Sequence, residues 1–223
     1  MTGYWNCHTS KSPTMRLFVG VNNIYTGINY NTNTNAAWMG EVVSAIDSWL
    51  NGSGWSGLEY AEAGSDTETE WASYSPYTIN YLRTVAANDG GSPIYDFGDA
   101  GGCNTGGYSS NGSCNGGWTQ GQVLDVSWVE SWAWPLPEIY NQNSLNAYQW
   151  YWISLGSYRA GSGPITFYGS LTQYQACQQV GGCNGTANTP DQGWTQLYNS
   201  IYTDPNTRPG DIMTWSDDMR YLG

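Results

Sequence analysis

Residues 16–24, RLFVGVNNI, set the fold. A nearly continuous apolar run of strand length, ending in Asn-Asn, is what a strand buried on both faces of a parallel sheet looks like. The next segments extend the pattern. Residues 36–50 carry Ala37, Val42, Ile46 and Trp49 at helical spacing and stop at Asn51-Gly52, a helix-ending signal. Residues 58–64, LEYAEAG, read as a second strand, although their alanines and glutamates would also suit a helix.

The alternation continues to the end of the chain. After Ser75-Pro76 an amphipathic helix runs to Ala87, and residues 93–97 (PIYDF) form the next strand. Strands are expected over 122–129 (QVLDVSWV), 136–140 (LPEIY), 165–168 and 211–215 (DIMTW), with helices over 147–154, 171–180 and 191–202. About seven strands alternating with helices imply a parallel sheet, either a small barrel or an open doubly wound sheet. Many of the strands end in a polar cluster just before a loop, the rim where barrels carry their sites. The expectation is therefore one α/β domain over residues 1–223, a small (β/α)8-like TIM barrel with irregular or missing elements.

Composition narrows the function classes. Charged residues make up only 11% of the chain, yet 13 Trp and 18 Tyr require a folded host. The net charge of -12 repels phosphate backbones and anionic lipid, which argues against nucleic-acid and membrane-surface roles. No run approaches the roughly 20 apolar residues of a membrane-spanning helix, so no membrane insertion is expected. Met1 leads directly into Gly3-Tyr4-Trp5-Asn6-Cys7, so we read the chain as a mature, secreted form. Gly-x-Gly-x-x-Gly and Gly-x-x-x-x-Gly-Lys are absent, so a nucleotide cofactor has no cradle and no cofactor is expected. Cys103 and Cys114 flank a Gly/Ser/Asn loop, and Cys177 and Cys183 flank a shorter one. Each pair can close as a local disulfide in an oxidising compartment. The competing zinc site would want shorter gaps and histidines, and His8 is the single histidine. Cys7 is left over.

Three acidic stretches are candidates for chemistry. Asp66, Glu68 and Glu70 follow a strand at a spacing of two, so in extended chain they project to one side. Crowded carboxylates raise one another's pKa, as a general acid near neutral pH requires, although a solvated acidic loop or a helix N-terminus would hold them equally well. Asp96 and Asp99 sit where the chain turns through glycines towards a ligand, or towards an Asx turn. Glu138 lies in an apolar, proline-bracketed segment, where a carboxylate must be paired or face a pocket. Glycoside hydrolysis needs two carboxyl groups roughly 5–9 Å apart, one protonated and one ionised. Glu138, Glu68 and Asp66 are accordingly the candidate catalytic residues. Trp71, Trp128, Trp132, Trp134 and Trp215, with Asp96 and Asp99, are the candidate substrate-binding residues, flat rings suiting sugars although aromatics more often serve a core. A hard-metal site at Asp66, Glu68 and Glu70 lacks calcium-loop spacing, so no metal is expected.

Five stretches resemble secreted bacterial glycoside-hydrolase-like TIM barrels: VGVNN over 19–23, Asp66-x-Glu68, WTQGQVLDVSW over 118–128, PLPEIY over 135–140, and LTQYQAC over 171–177. They span most of the chain from about Arg16 onward, and PLPEIY is the most specific. The resemblance implies a barrel and a carbohydrate context. The chain is more distantly similar to lysozyme-like barrels that cleave cell-wall glycans, but Asn6 and Cys7 stand where those enzymes carry an N-terminal aspartate. The readings are a secreted hydrolase of a polysaccharide or cell-wall glycan, a non-catalytic glycan-binding module, or a self-associating surface or filament protein.

Overall fold

A computed structural model describes residues 15–23, 32–55, 59–71, 76–213 and 215–221. Cys7, His8, Asn6 and residue 24 of the first predicted strand lie outside them. The first sheet holds β1 (Met15–Asn22), β2 (Glu59–Asp66), β3 (Ile94–Asp96) and β4 (Ala133–Pro135), in that order and all parallel. β5 (Gly169–Thr172) and β6 (Trp215–Asp218) form a second parallel ladder. A single parallel bridge, Glu138 to Leu171, links the chain beyond β4 to β5. Among the described residues β6 does not pair with β1, so no ring of strands closes.

The helices are α1 (Thr32–Leu50), α2 (Pro76–Ala86), α3 (Gln120–Leu124), α4 (Leu145–Arg159), α5 (Tyr174–Gln179) and α6 (Pro190–Tyr202). Strand alternation divides the sheet into two faces. Val19, Ala63 and Ile94 share a register row and join one core with Met39 and Val43 of α1, Leu82 and Val85 of α2, Trp150 and Ile153 of α4, and Leu197 and Ile201 of α6. The opposite face carries Phe18, Tyr95, Phe97, Trp134, Leu136, Tyr168 and Leu171 as a second, aromatic cluster. Gly64 is required there, because a Cβ on it would meet the Phe97 ring at 2.7 Å. Below the cluster Arg16 pairs with buried Glu62 and donates to the Tyr95 hydroxyl at 2.9 Å. Removing Arg16 would leave the Glu62 carboxylate buried without its partner.

Several expected elements move. Residues 122–129 are helical rather than a strand: α3 continues into a wide turn over Asp125–Val129. The cause is a capping box, in which Thr119 accepts from the Gln122 N–H while the Gln122 side chain accepts from the Thr119 N–H. The strand expected over 136–140 is displaced to Ala133–Pro135, because Pro135 and Pro137 have no N–H to continue a ladder. The strands placed at 165–168 and 211–215 fall instead at Gly169–Thr172 and Trp215–Asp218, and α5 is shorter than 171–180. The N-terminus of α6 has a second capping box, Thr189 with Gln192. Thr189→Ala should therefore cost about 1 kcal/mol, read as a lower urea midpoint at unchanged slope.

Candidate functional site

The acids gather at the C-terminal ends of β2, β3 and β4. Asp66 shares the inward face with Phe97 and Leu136, and the same alternation carried past the strand ends brings up Glu68, Asp99 and Glu138. One carboxylate oxygen from each of Asp66, Glu68 and Glu138 lies within 4.8 Å of the others. Glu138 is only 4% exposed, whereas Asp66 and Glu68 are half-buried. Each acid is held by its own local contacts. The Tyr140 hydroxyl donates to Glu138 Oε1. Asn23 clamps the backbone of Glu68, accepting from its N–H at 3.1 Å and donating to its carbonyl at 2.7 Å. Asp99 Oδ1 accepts from the Thr69 N–H and hydroxyl, both at 3.3 Å. Gly98 permits the approach of the two loops, since a Cβ there would meet the Thr67 carbonyl oxygen at 2.1 Å.

The electrostatics are one-sided. Among the described residues the ion pairs are Arg16–Glu62 and Arg83–Glu130, so no arginine neutralises this cluster. Burial pushes the Asp66 carboxyl up to about 6. Burial, then the charges of Asp66 and Asp99, push Glu68 up to about 8. Asp99 rises to about 7 through burial and the neighbouring Glu70 charge. Glu138 is raised well above the usual carboxylate range by burial, then by Glu68 and Asp66. Glu68 and Glu138 thus stand close together with Asp66, each raised by burial and by the charge of its neighbours, and Asp66 is the least raised of the three. Asp66, Glu68 and Glu138 are also the residues that could hold a divalent cation, each through one oxygen.

Beside the acids opens a cleft of about 490 Å³, with Glu70, Asp99, Asn115, Asn141, Asn146 and Gln149 in its wall. The Cys103–Cys114 disulfide braces this wall, and Cys177 is bonded to Cys183 in the loop after α5. A larger cleft of about 690 Å³ lies between α4 and α6, but Asp204 is the one acidic residue lining it.

No family model, curated protein or solved structure matches this chain.

The remaining candidates are dispersed. Asp96 faces away from the cleft, fully enclosed, accepting from the Ser127 hydroxyl at 2.5 Å and the Gly98 N–H at 3.2 Å. Trp128 and Trp132 pack against the helix-side core at the start of β4, the opposite end of the strand from the acids, because the preceding segment is helical. Trp134 belongs to the aromatic cluster, one face covered by Tyr168 at 4.0 Å and 3°. These three tryptophans do not surround the acids. Trp71 follows Glu70 in the turn beyond β2, half-buried. The side chain of Trp215 lies outside the described residues. Tyr140, Asn23 and Gln149 were missed. Tyr140 had a signal, standing two residues after Glu138 and so on the same side of extended chain. Asn23 and Gln149 had none, their partners being 45 and 46 residues away.

Proposed function

We propose that this protein is a secreted glycoside hydrolase acting on a polysaccharide or cell-wall glycan. The observation that carries the reading is the meeting of Asp66, Glu68 and Glu138 at the strand ends, one oxygen of each within 4.8 Å of the others. Their surroundings raise all three carboxyls and so support one proton held between Glu68 and Glu138. Carboxyl groups driven apart in pKa by their surroundings mark the acid and its ionised partner. The Glu68–Glu138 pair gives its proton to the leaving glycosidic oxygen as the C–O bond breaks. Asp66, with a buried oxygen unpartnered among the described residues, attacks or stabilises the anomeric carbon. Water then delivers its hydroxyl to that carbon, breaking the bond to Asp66 where one has formed and freeing its carboxylate, and returns its proton to the pair. Oxygens within 4.8 Å are nearer to the roughly 5–5.5 Å carboxyl separation of retaining enzymes than to the about 6.5–9.5 Å of inverting ones, so retention of configuration is the outcome favoured.

The barrel reading also belongs here. The strands follow chain order, and helices pack on one face of the sheet while aromatics fill the other. A doubly wound sheet would reverse its strand order and take helices on both faces. Two disulfides suit an extracellular setting, and no helix among the described residues is long and apolar enough to cross a membrane.

The test is release of reducing ends from a panel of neutral polysaccharides and peptidoglycan, with Asp66→Asn alongside. Wild type should release them, EDTA should leave the rate unchanged, and Asp66→Asn should stay on the glycan while losing turnover. Binding without any release would make the chain a binding module. Loss in EDTA, restored by calcium, would replace the shared proton with a cation.

A further inference from the structure

Gln149 stands out among the groups that the proposed hydrolysis does not use. It lies in the first turns of α4 and is 2% exposed, and its Nε2 donates to the Cys103 carbonyl at 3.4 Å. Its Oε1 is a buried acceptor with no hydrogen-bond partner among the described residues, although the side chain is part of the cleft wall. A buried acceptor left unsatisfied is costly, so such an atom at a cleft wall is set to receive a donor from a bound molecule. The neighbouring groups define that molecule. Asn115 and Asn141 offer amides, Glu70 and Asp99 offer carboxylate oxygens, and no lysine or arginine lines the cleft. A wall of acceptors and amides without cations suits ring hydroxyls and repels a sugar acid.

We infer that this cleft is a subsite for one sugar ring without an acidic substituent, bound through a hydroxyl donated to Gln149 Oε1 and excluding uronic acids through Glu70 and Asp99. The inference rests on the glycan reading above and narrows its substrate class. Asp99 accepts from the N–H of Thr69, the residue after Glu68, so the subsite adjoins the bond to be broken.

The experiment measures calorimetric affinity on the full chain carrying Asp66→Asn, so that bound sugar is not consumed. The probes are cello- and chito-hexaose as neutral glycans and hexagalacturonate as the acidic one. At least one neutral hexaose should bind, and Gln149→Leu should weaken it about tenfold, the loss of one buried hydrogen bond. Gln149→Met, closer in shape, should do the same with an unchanged melting temperature, which separates lost contact from lost fold. Hexagalacturonate should bind at least tenfold more weakly than the neutral sugar and gain on Glu70→Gln. Unchanged neutral affinity in both Gln149 variants, equal affinity for the acidic probe, or no binding of any probe would overturn the subsite. A wild type that binds the neutral hexaose yet releases no reducing ends would remove the hydrolysis proposal and leave the subsite standing.

Discussion

Glu138→Gln should lower glycan turnover by about a thousandfold, general acid catalysis being worth roughly 10²–10⁴. Glu138 is the most buried of the three acids, 4% exposed, with the Tyr140 hydroxyl donating to one oxygen and Glu68 close by. Glutamine keeps the shape, can accept from the Tyr140 hydroxyl and can donate to Glu68, so the geometry survives while the transferable proton is lost. The same change removes one of several carboxyls that crowd each other, and the melting temperature at pH 8 should stay level or rise. Glu138→Ala would instead leave the Tyr140 hydroxyl and Glu68 facing a void. Reducing-end release and thermal melts on the two variants check both halves. Turnover by Glu138→Gln within tenfold of wild type would take Glu138 out of the chemistry.

Stability should fall steeply as pH rises from about 4.5 to 8. Asp66, Glu68, Asp96 and Asp99 titrate near 6, 8, 7 and 7 in the folded chain, all above their ordinary values. Between the ordinary and the folded values the native state holds more protons than the unfolded chain, so ionisation favours unfolding and stability declines with pH through that window. Asp96 is a major contributor, being buried with the Ser127 hydroxyl and Gly98 N–H as its partners, and Glu138, raised well above the usual range, adds to the same trend. At about 1.4 kcal/mol per pH unit between its ordinary and folded values, Asp96 contributes on the order of 4 kcal/mol. Glu68 is partly open to water and adds less than its displacement suggests. Urea midpoints at pH 5 and pH 8 should differ accordingly, with pH 5 the higher, and Asp96→Asn should flatten the profile. A midpoint equal or higher at pH 8 would show these carboxyls ionised at little cost in the native state.

The sequence was informative where chemistry is local. The apolar run at 16–24 is β1 as far as it is described, but none of the β1 residues Met15–Asn22 is buried, so the expectation of a strand buried on both faces fails. Residues 36–50 fall in α1, whose buried stripe is Ala36, Met39, Val43 and Leu50 rather than Ala37, Val42, Ile46 and Trp49. The spacing of Asp66 and Glu68 at a strand end, and the isolation of Glu138 among prolines, were legible because they are written into neighbouring positions. The 122–129 segment misled because Val123, Leu124 and Val126 make an apolar run in either structure, and the cap that decides between them, Thr119 with Gln122, lies at its edge. That error carried Trp128 and Trp132 to the wrong end of β4. The cleft amides were illegible in principle: Asn and Gln are scattered along the chain, and Gln149 meets Cys103 only through the tertiary fold.

The aromatic cluster under the acids has one more consequence. Phe18, Tyr95, Phe97, Trp134 and Tyr168 interlock at ring separations of 4.0–6.1 Å, with the Arg16–Glu62 pair beneath them. Among the described residues these rings fill the inward face beneath the acids. A polymer would therefore reach the acids from the strand-end side, and a cut along its length would need no free end to begin from.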